Sequence, residues 1–394
     1  MAIFDLTSGA FYGSVSAAIQ GSAAGDVIQL SPGTYSEDFP KIRHDLTIEG
    51  VGGMATLTPL LTVNPQAGDP LYQPPSNGQG VLVIDGGVRL DHLEITGAAV
   101  PDQNGAGVRY ETGSLTITNS HIHGNQDGLL ANGNPGANIL IDHSEFDHNG
   151  AEDGFSHNIY VNEVGRFSLT NSYIHDALGG HEVKSRADQT IITGSRIDDG
   201  TADTSYSVDL PNGGVATLSG NDITKGLNAP NWFIVHFGGE GTPTPGDPLL
   251  TTAYPGSSLT ITGNVFTSDL PDCCGIEHRL LLDQAGDPLS SILLPVISGN
   301  VFNDIPADQL VTGSLGGSLA YFPAALYSEQ NVFNTSEPPA SGLVMLALAL
   351  GLLARRAASG CRAAPGVQSA APCRAQAATG LRIGGMMSVG RGQT

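Results

Sequence analysis

Charge is scarce in this chain, and positive charge scarcer still: 14% of its 394 residues are charged, with 16 Lys plus Arg against 38 Asp plus Glu. Nothing approaches the Ala/Glu/Lys/Leu usage that helical bundles and coiled coils need, so both are excluded. Four cysteines decide little. Cys273 and Cys274 are neighbours, which fits a vicinal disulfide or two inert thiols better than a metal pair, and Cys361 and Cys373 lie near the C-terminus. The opening segment MAIFDLTSGAFYGS has neither a basic nor an apolar stretch, so no secretory signal is read from it.

What basic charge there is lies unevenly. Six arginines and no acid fall between Arg355 and Thr394, which leaves residues 1–354 with 10 basic and 38 acidic side chains, a net of −28. An acidic body repels phosphate backbones, so nucleic acid is not an expected partner, whereas secretion, calcium affinity or a salty habitat fits. Glycine, at 53 residues, is abundant, and its place becomes clear from an internal repeat.

A short phrase recurs: an apolar strand, a turn residue, Ser or Asn, any residue, then Ile or Phe. It reads ITNSHI, IDHSEF, LTNSYI, ITGSRI, LSGNDI, ITGNVF, ISGNVF and SEQNVF, with markers at Ser120, Ser144, Ser172, Ser195, Asn221, Asn264, Asn300 and Asn331. The spacings are 24, 28, 23, 26, 43, 36 and 31 residues. A floor near 23 with longer intervals suits a parallel β-solenoid whose coils hold three strands of about 4 to 5 residues and whose turns expand outward. Gly238 to Gly256 is such an expansion, rich in Gly, Pro, Asp and Thr. The marker residues are expected to form an internal ladder that bonds turn backbone. Four segments follow: an N-terminal cap over 1–23 with a helix near Val15 to Gln20, an all-β solenoid over 24–335, a segment over 336–356, and a disordered or short-helical basic tail over 357–394. The cap covers the open end of the first coil, and the chain is expected to be a monomer.

Counting back from each marker gives a second strand: GVRYE, LLANG, IYVNE, EVKSR, SVDLP, IVHFG and LLDQA. With Val108, Ala131, Val161, Val183, Val208, Val235 and Leu282 inward, the outward column is Arg109, Asn132, Asn162, Lys184, Asp209, His236 and Asp283. Five of the body's ten basic residues, Arg109, Arg166, Lys184, Arg186 and Arg196, lie in the same stretch. Such a groove suits carboxylate or sulfate, since guanidinium forks bind these groups bidentately. A base role for Lys184 requires a depressed pKa from Arg186 or burial, while Asp209 and Glu182 oppose it. A carboxylate pair of Asp209 with Asp198, Asp199 or Asp283 is the glycosidase alternative. His157–Asn158 and His181–Glu182 occupy the same turn of adjacent coils and form either a stacked proton-transfer pair or a polar ladder capping the turn. His121, His123, His143 and His148 flank the markers as metal candidates, and Asp142, Glu145, Asp147, Glu152 and Asp153 as calcium candidates, in both cases without a recognised ligand spacing.

The phrase GDVIQLSPGTY and the Gly-Asn-x-Phe repeat resemble right-handed parallel β-helix proteins of the pectin-lyase-like superfamily. HEVKS followed by SYSVDLPNGG resembles the catalytic coils of alginate-lyase and chondroitinase-B-like lyases. That resemblance implies β-elimination on an acidic polysaccharide, with Lys184 taking the C5 proton of a uronate and calcium neutralising its carboxylate. Asp209 stands where those proteins carry an arginine, so Arg186 or His236 is the expected second catalytic group. Arg109, Asn132, Asn162, Arg166, His157, His181, Glu182 and Asp283 are the expected substrate contacts. A non-catalytic glycan-binding or surface protein and a glycoside hydrolase remain the alternatives. SEPPAS, the apolar run Gly342 to Ala354 and Arg355-Arg356 resemble a degenerate PEP-CTERM surface-sorting signal. This implies an extracellular or cell-surface location and contact with membrane and sorting machinery.

Overall fold

In runs such as Leu46–Gly50 (LTIEG) and Ser258–Thr262 (SLTIT), every second residue is apolar, so an extended backbone turns one face inward and the other to water. The computed structural model describes residues 1–60, 75–152, 154–240, 254, 256–272, 275–284, 294–315, 318–321, 325 and 327–334. The chain divides into two units, Met1–Pro339 and Ala340–Thr394. All described residues belong to the first. The sorting-like segment, the basic tail, Asp153 and the cysteine pair Cys273–Cys274 lie outside them.

The first unit is a right-handed parallel β-helix, an all-β solenoid in which each full coil gives one strand to each of three sheets. Sheet A runs from Ile3–Asp5 to Val296–Ser298, sheet B from Gly33–Glu37 to Val332–Asn334, and sheet C from Gly80–Asp85 to Ser318–Tyr321. Pairing is parallel except at two ends: Ile3–Asp5 runs antiparallel to Asp26–Leu30, and Ser318–Tyr321 antiparallel to Val311–Leu315. The N-terminal strand is an element that the cap expectation did not contain. The expected helix is there, over Val15–Gly21, with Ser14 Oγ accepting from the Ala17 amide at 3.0 Å. The Glu37 carboxylate accepts from the first two helix amides, at 2.9 and 2.8 Å, and Val15, Ala18 and Ile19 are buried.

Parallel register stacks like on like. In sheet A, Ile28, Ile48, Leu90, Ile117, Ile141, Leu169, Ile192, Leu218, Ile261 and Ile297 form one inward column. In sheet B the rings of Phe266, Phe302 and Phe333 close the column, 5.5 and 5.2 Å apart. Sheet C contributes Leu82, Val108, Leu129, Ile159, Val183, Val208, Val235, Leu281 and Val311.

The corners need polar side chains, because turn amides inside the solenoid have no strand partner. At the A–B corner the marker residues form the expected ladder: Ser195 N donates to Asn221 Oδ1, Asn221 N to Asn264 Oδ1 and Asn264 N to Asn300 Oδ1, each at 2.9 Å. A second ladder fills the B–C corner with Asn125, Asn149, Asn158 and Glu182, of which the sequence offered Asn158 and Glu182 as one reading of their turn and did not offer Asn125 and Asn149. Glu182 is wholly buried, accepting from Asn158 Nδ2 at 2.5 Å, the Ala177 amide at 2.8 Å and Thr204 Oγ1 at 3.0 Å. Burial, then the charge of Asp199, pushes its carboxyl well above the usual range. Beside it lies a buried ion pair, Lys225 Nζ to Asp199 Oδ2 at 3.1 Å.

Candidate functional site

The outward side of sheet C carries one column read directly from its register: Val83, Arg109, Leu130, Tyr160, Lys184, Asp209, His236, Leu282 and Thr312. Arg109, Lys184, Asp209 and His236 hold the expected places. Asn132 and Asn162 do not: they lie two residues beyond Leu130 and Tyr160, past the ends of their strands, and Asn162 Oδ1 accepts from the Glu163 amide at 2.9 Å. Asp283 is displaced by one and pairs with Phe237, because Leu281 rather than Leu282 takes the inward position. Glu182 is corrected too, since it belongs to the internal ladder and is out of reach of a bound polymer.

The expected cationic stripe is also dispersed. Arg166 stands exposed on sheet A, where its Nε donates to Ser168 Oγ, and Arg196 stands on sheet B over the Tyr173 ring. Arg109 shares the face of Lys184 but three coils away, about 14 Å at the usual strand spacing. Of the five, Lys184 and Arg186 form a local cation pair, both reaching Glu240.

That pair is tightly partnered. Lys184 Nζ lies 2.9 Å from Asp209 Oδ2 and 3.8 Å from Glu240 Oε1. Arg186 donates through Nε to Tyr160 Oη at 3.2 Å, through Nη1 to Asn212 Oδ1 at 2.5 Å, and through Nη2 to the carboxylate of Glu240. Both ends of the Gly238–Gly256 insertion reach this guanidinium strand: Glu240 at one, and at the other Tyr254, whose phenol donates to the Arg186 carbonyl at 2.8 Å. Residues 241–253 and 255 of that insertion lie outside the described residues.

Asp209 is buried at the centre. Burial raises its pKa, yet the His236 hydrogen bond at 2.7 Å and the charge of Lys184 outweigh that effect and hold the carboxyl well below the usual carboxylate range. A row of rings flanks it along the helix axis: His157 and His181 with centroids 4.7 Å apart, His181 and Tyr206 at 5.5 Å, and Tyr206 and His236 at 4.9 Å. Burial, as the largest influence, brings His181 down to about 4 and His157 well below its ordinary value, so both rings are neutral at pH 7. Burial pushes the Tyr206 phenol up to about 12.

The tautomers follow from the bonds. His157 Nδ1 accepts the His181 amide at 3.1 Å, so the proton in the 3.1 Å contact between the two Nδ1 atoms belongs to His181. His181 Nε2, 3.7 Å from Asp209 Oδ2, therefore carries a lone pair on the side of the charged cluster. Gly180 makes this possible, because a Cβ there would strike the Ser156 carbonyl and lie 2.6 Å from His157 Nδ1.

Tyr160, Tyr206, Glu240, Asn212 and Tyr254 belong to the site but were not expected from sequence. Tyr160 and Tyr206 count as apolar in a period-two reading, and Glu240 and Tyr254 belong to an insertion without repeat register. The metal candidates lie elsewhere: Glu94, His121, His123, Glu145, Asp147, His148 and His175 are on or beside the outer face of sheet B. His143 and Asp142 pair with each other, at 2.7 Å. Among the described residues, no helix is long and apolar enough to cross a membrane.

Comparison with known proteins agrees with this architecture. Residues 79–229 match the family model described as the right handed beta helix region. No curated protein matches the chain significantly. Among solved structures the chain is similar to pectin methylesterase PemA from Erwinia chrysanthemi, with 13% identity and a TM-score of 0.44 over 70% of this chain and 90% of that one. It is also similar to a pectin methylesterase in complex with hexasaccharide VII (14%, 0.43, 70% and 90%) and to rice weevil pectin methyl esterase (14%, 0.38, 82% and 86%).

Proposed function

We propose that the outer face of sheet C acts on an acidic polysaccharide and cleaves it by β-elimination. The observation that carries this reading is the convergence of Lys184 and Arg186 on one carboxylate, that of Glu240, whose side chain is 46% exposed. A uronate carboxylate entering the groove replaces Glu240 and meets the same ammonium and guanidinium. Withdrawal of charge into that pair acidifies the neighbouring C5–H. Lys184, held by Asp209, serves better as part of this clamp than as the base, because its Nζ already faces two carboxylates.

The base is then His181 Nε2, neutral at pH 7 and turned toward the cluster. It takes the C5 proton, the electron pair forms the C4–C5 double bond, and the glycosidic oxygen leaves with a proton from the Tyr206 phenol. Asp209 and His236 are positioning residues for Lys184. Arg109, about 14 Å along the axis, is placed for a more distant sugar of the same chain. The Ser336–Arg356 segment, by its resemblance to a surface-sorting signal, supports a place for this activity at the cell surface, where such polymers lie.

The test is incubation with alginate, pectate and glycosaminoglycans while absorbance of the unsaturated product is followed. The reading requires product from at least one polymer and its loss in His181→Ala and Lys184→Ala. Turnover that survives either substitution overturns the assignment. A second reading, binding without cleavage, is favoured by the complete pairing of Lys184 and Arg186 within the protein, and it predicts retention on an immobilised acidic glycan with no chromophore.

A further inference from the structure

Sheet B carries a second chemical cluster that the proposed reaction does not use. His121, Glu145 and Asp147 stand on two neighbouring strands, His121–His123 and Glu145–Asp147, and His175 ends the next strand, Tyr173–His175. The registers His121 to Glu145 and Asp147 to His175 put these side chains on one outward face across three coils. His148 turns its ring back onto Asp147 Oδ2 while His121 Nε2 meets Asp147 Oδ1 and His175 Nε2 meets Glu145 Oε1 at 3.1 Å.

The donor atoms of His121, Glu145 and Asp147 lie within 4.8 Å of one another, as do those of Asp147, His148 and His175. Two ligands of a tetrahedral zinc ion, each about 2.0–2.2 Å from it, lie about 3.3–3.6 Å apart, so side-chain shifts of about 1 Å close the site. The partners holding Glu145 and Asp147 here are all imidazoles, with no lysine or arginine among them.

We infer that the outer face of sheet B binds one divalent transition-metal ion of the zinc class, with Asp147 as its carboxylate ligand and imidazoles from His148 and His175 beside it. Imidazole nitrogen mixed with carboxylate oxygen selects zinc, cobalt, nickel or copper over calcium and magnesium, which take oxygen alone. The ion clips two successive coils together, and the half-exposed site leaves room for a water ligand.

The test uses the full chain without a histidine tag, with thiols alkylated and metals removed by chelation, titrated with zinc chloride in a calorimeter. One zinc ion per chain is expected, with a rise in melting temperature that calcium does not reproduce. Both effects disappear in Asp147→Asn, and affinity falls roughly tenfold or more in His148→Gln. Circular dichroism establishes that each variant is folded, and His148, whose ring is largely exposed, decides the matter if Asp147→Asn is not. Cobalt in place of zinc is expected to give visible ligand-field bands without a thiolate charge-transfer band. No zinc uptake, uptake unchanged in His148→Gln, or a thiolate band would overturn the inference.

Discussion

Asp209 is buried, ionised and bonded to both His236 and Lys184. Asp209→Asn leaves Lys184 without its nearest counter-charge inside a low-dielectric cluster, and chemical denaturation should register a loss of about 3 kcal/mol. The neutral imidazoles give a second signature, in pH. The unfolded chain protonates His181 below its ordinary value of 6.5, whereas the folded protein resists protonation down to about 4. The unfolded state thus binds more protons in that window, so stability falls as pH drops from 6.5 to 4, by about 3 kcal/mol for this group. His157 acts in the same direction. Melting temperatures across that range should fall for the wild type and fall less for His181→Gln. Residues of this kind were legible where an inward valine precedes them, as Val183, Val208 and Val235 precede Lys184, Asp209 and His236. Tyr160 was hidden because LLANG and IYVNE alternate equally well two residues out of step, and the run Leu280-Leu281-Leu282 erases the alternation altogether.

At the scale of elements, the ladders decide how coils stack. Asn264 accepts from Asn221 through both the amide and Nδ2 and donates to the Leu218 carbonyl, each at 2.9 Å. Asn264→Ala strands those buried groups, and a urea titration should show a cost of about 1–3 kcal/mol. Gly180→Ala should separate the His157 and His181 coils and abolish activity even where the rest of the helix still gives a strand-rich circular dichroism spectrum. The A–B ladder could be read from sequence because its markers recur once per coil with a neighbouring Ile or Phe. The B–C ladder could be read only at Asn158 and Glu182, since these are 24 residues apart while Asn149 and Asn158 are nine. Irregular corner lengths conceal a regular arrangement in space.

The first unit is strongly acidic, and recognition of a polyanion on it works against the net field. At low ionic strength a body of −28 repels an acidic polymer over roughly 30 Å at 0.01 M salt, a range that shrinks to about 10 Å at 0.1 M. The Lys184–Arg186 clamp acts at contact and is screened less. KM for an acidic polysaccharide should therefore fall as salt rises from about 0.01 to about 0.1 M, and a KM that climbs steadily from the lowest salt would indicate a broad cationic groove instead. Composition already carried the acidic sign and the glycine-rich turns of the solenoid. It did not show that most of the cations thought to form a stripe lie on separate sheets or inside ion pairs, because sequence proximity within one coil spans all three faces.

The most direct measurement compares Lys184→Ala with Arg196→Ala, a sheet C residue with a sheet B one, for release of unsaturated ends from pectate, alginate and glycosaminoglycans. Product is expected from the wild type and from Arg196→Ala, with loss in Lys184→Ala. Undiminished product from Lys184→Ala, or equal loss in both variants despite intact folding, would contradict it.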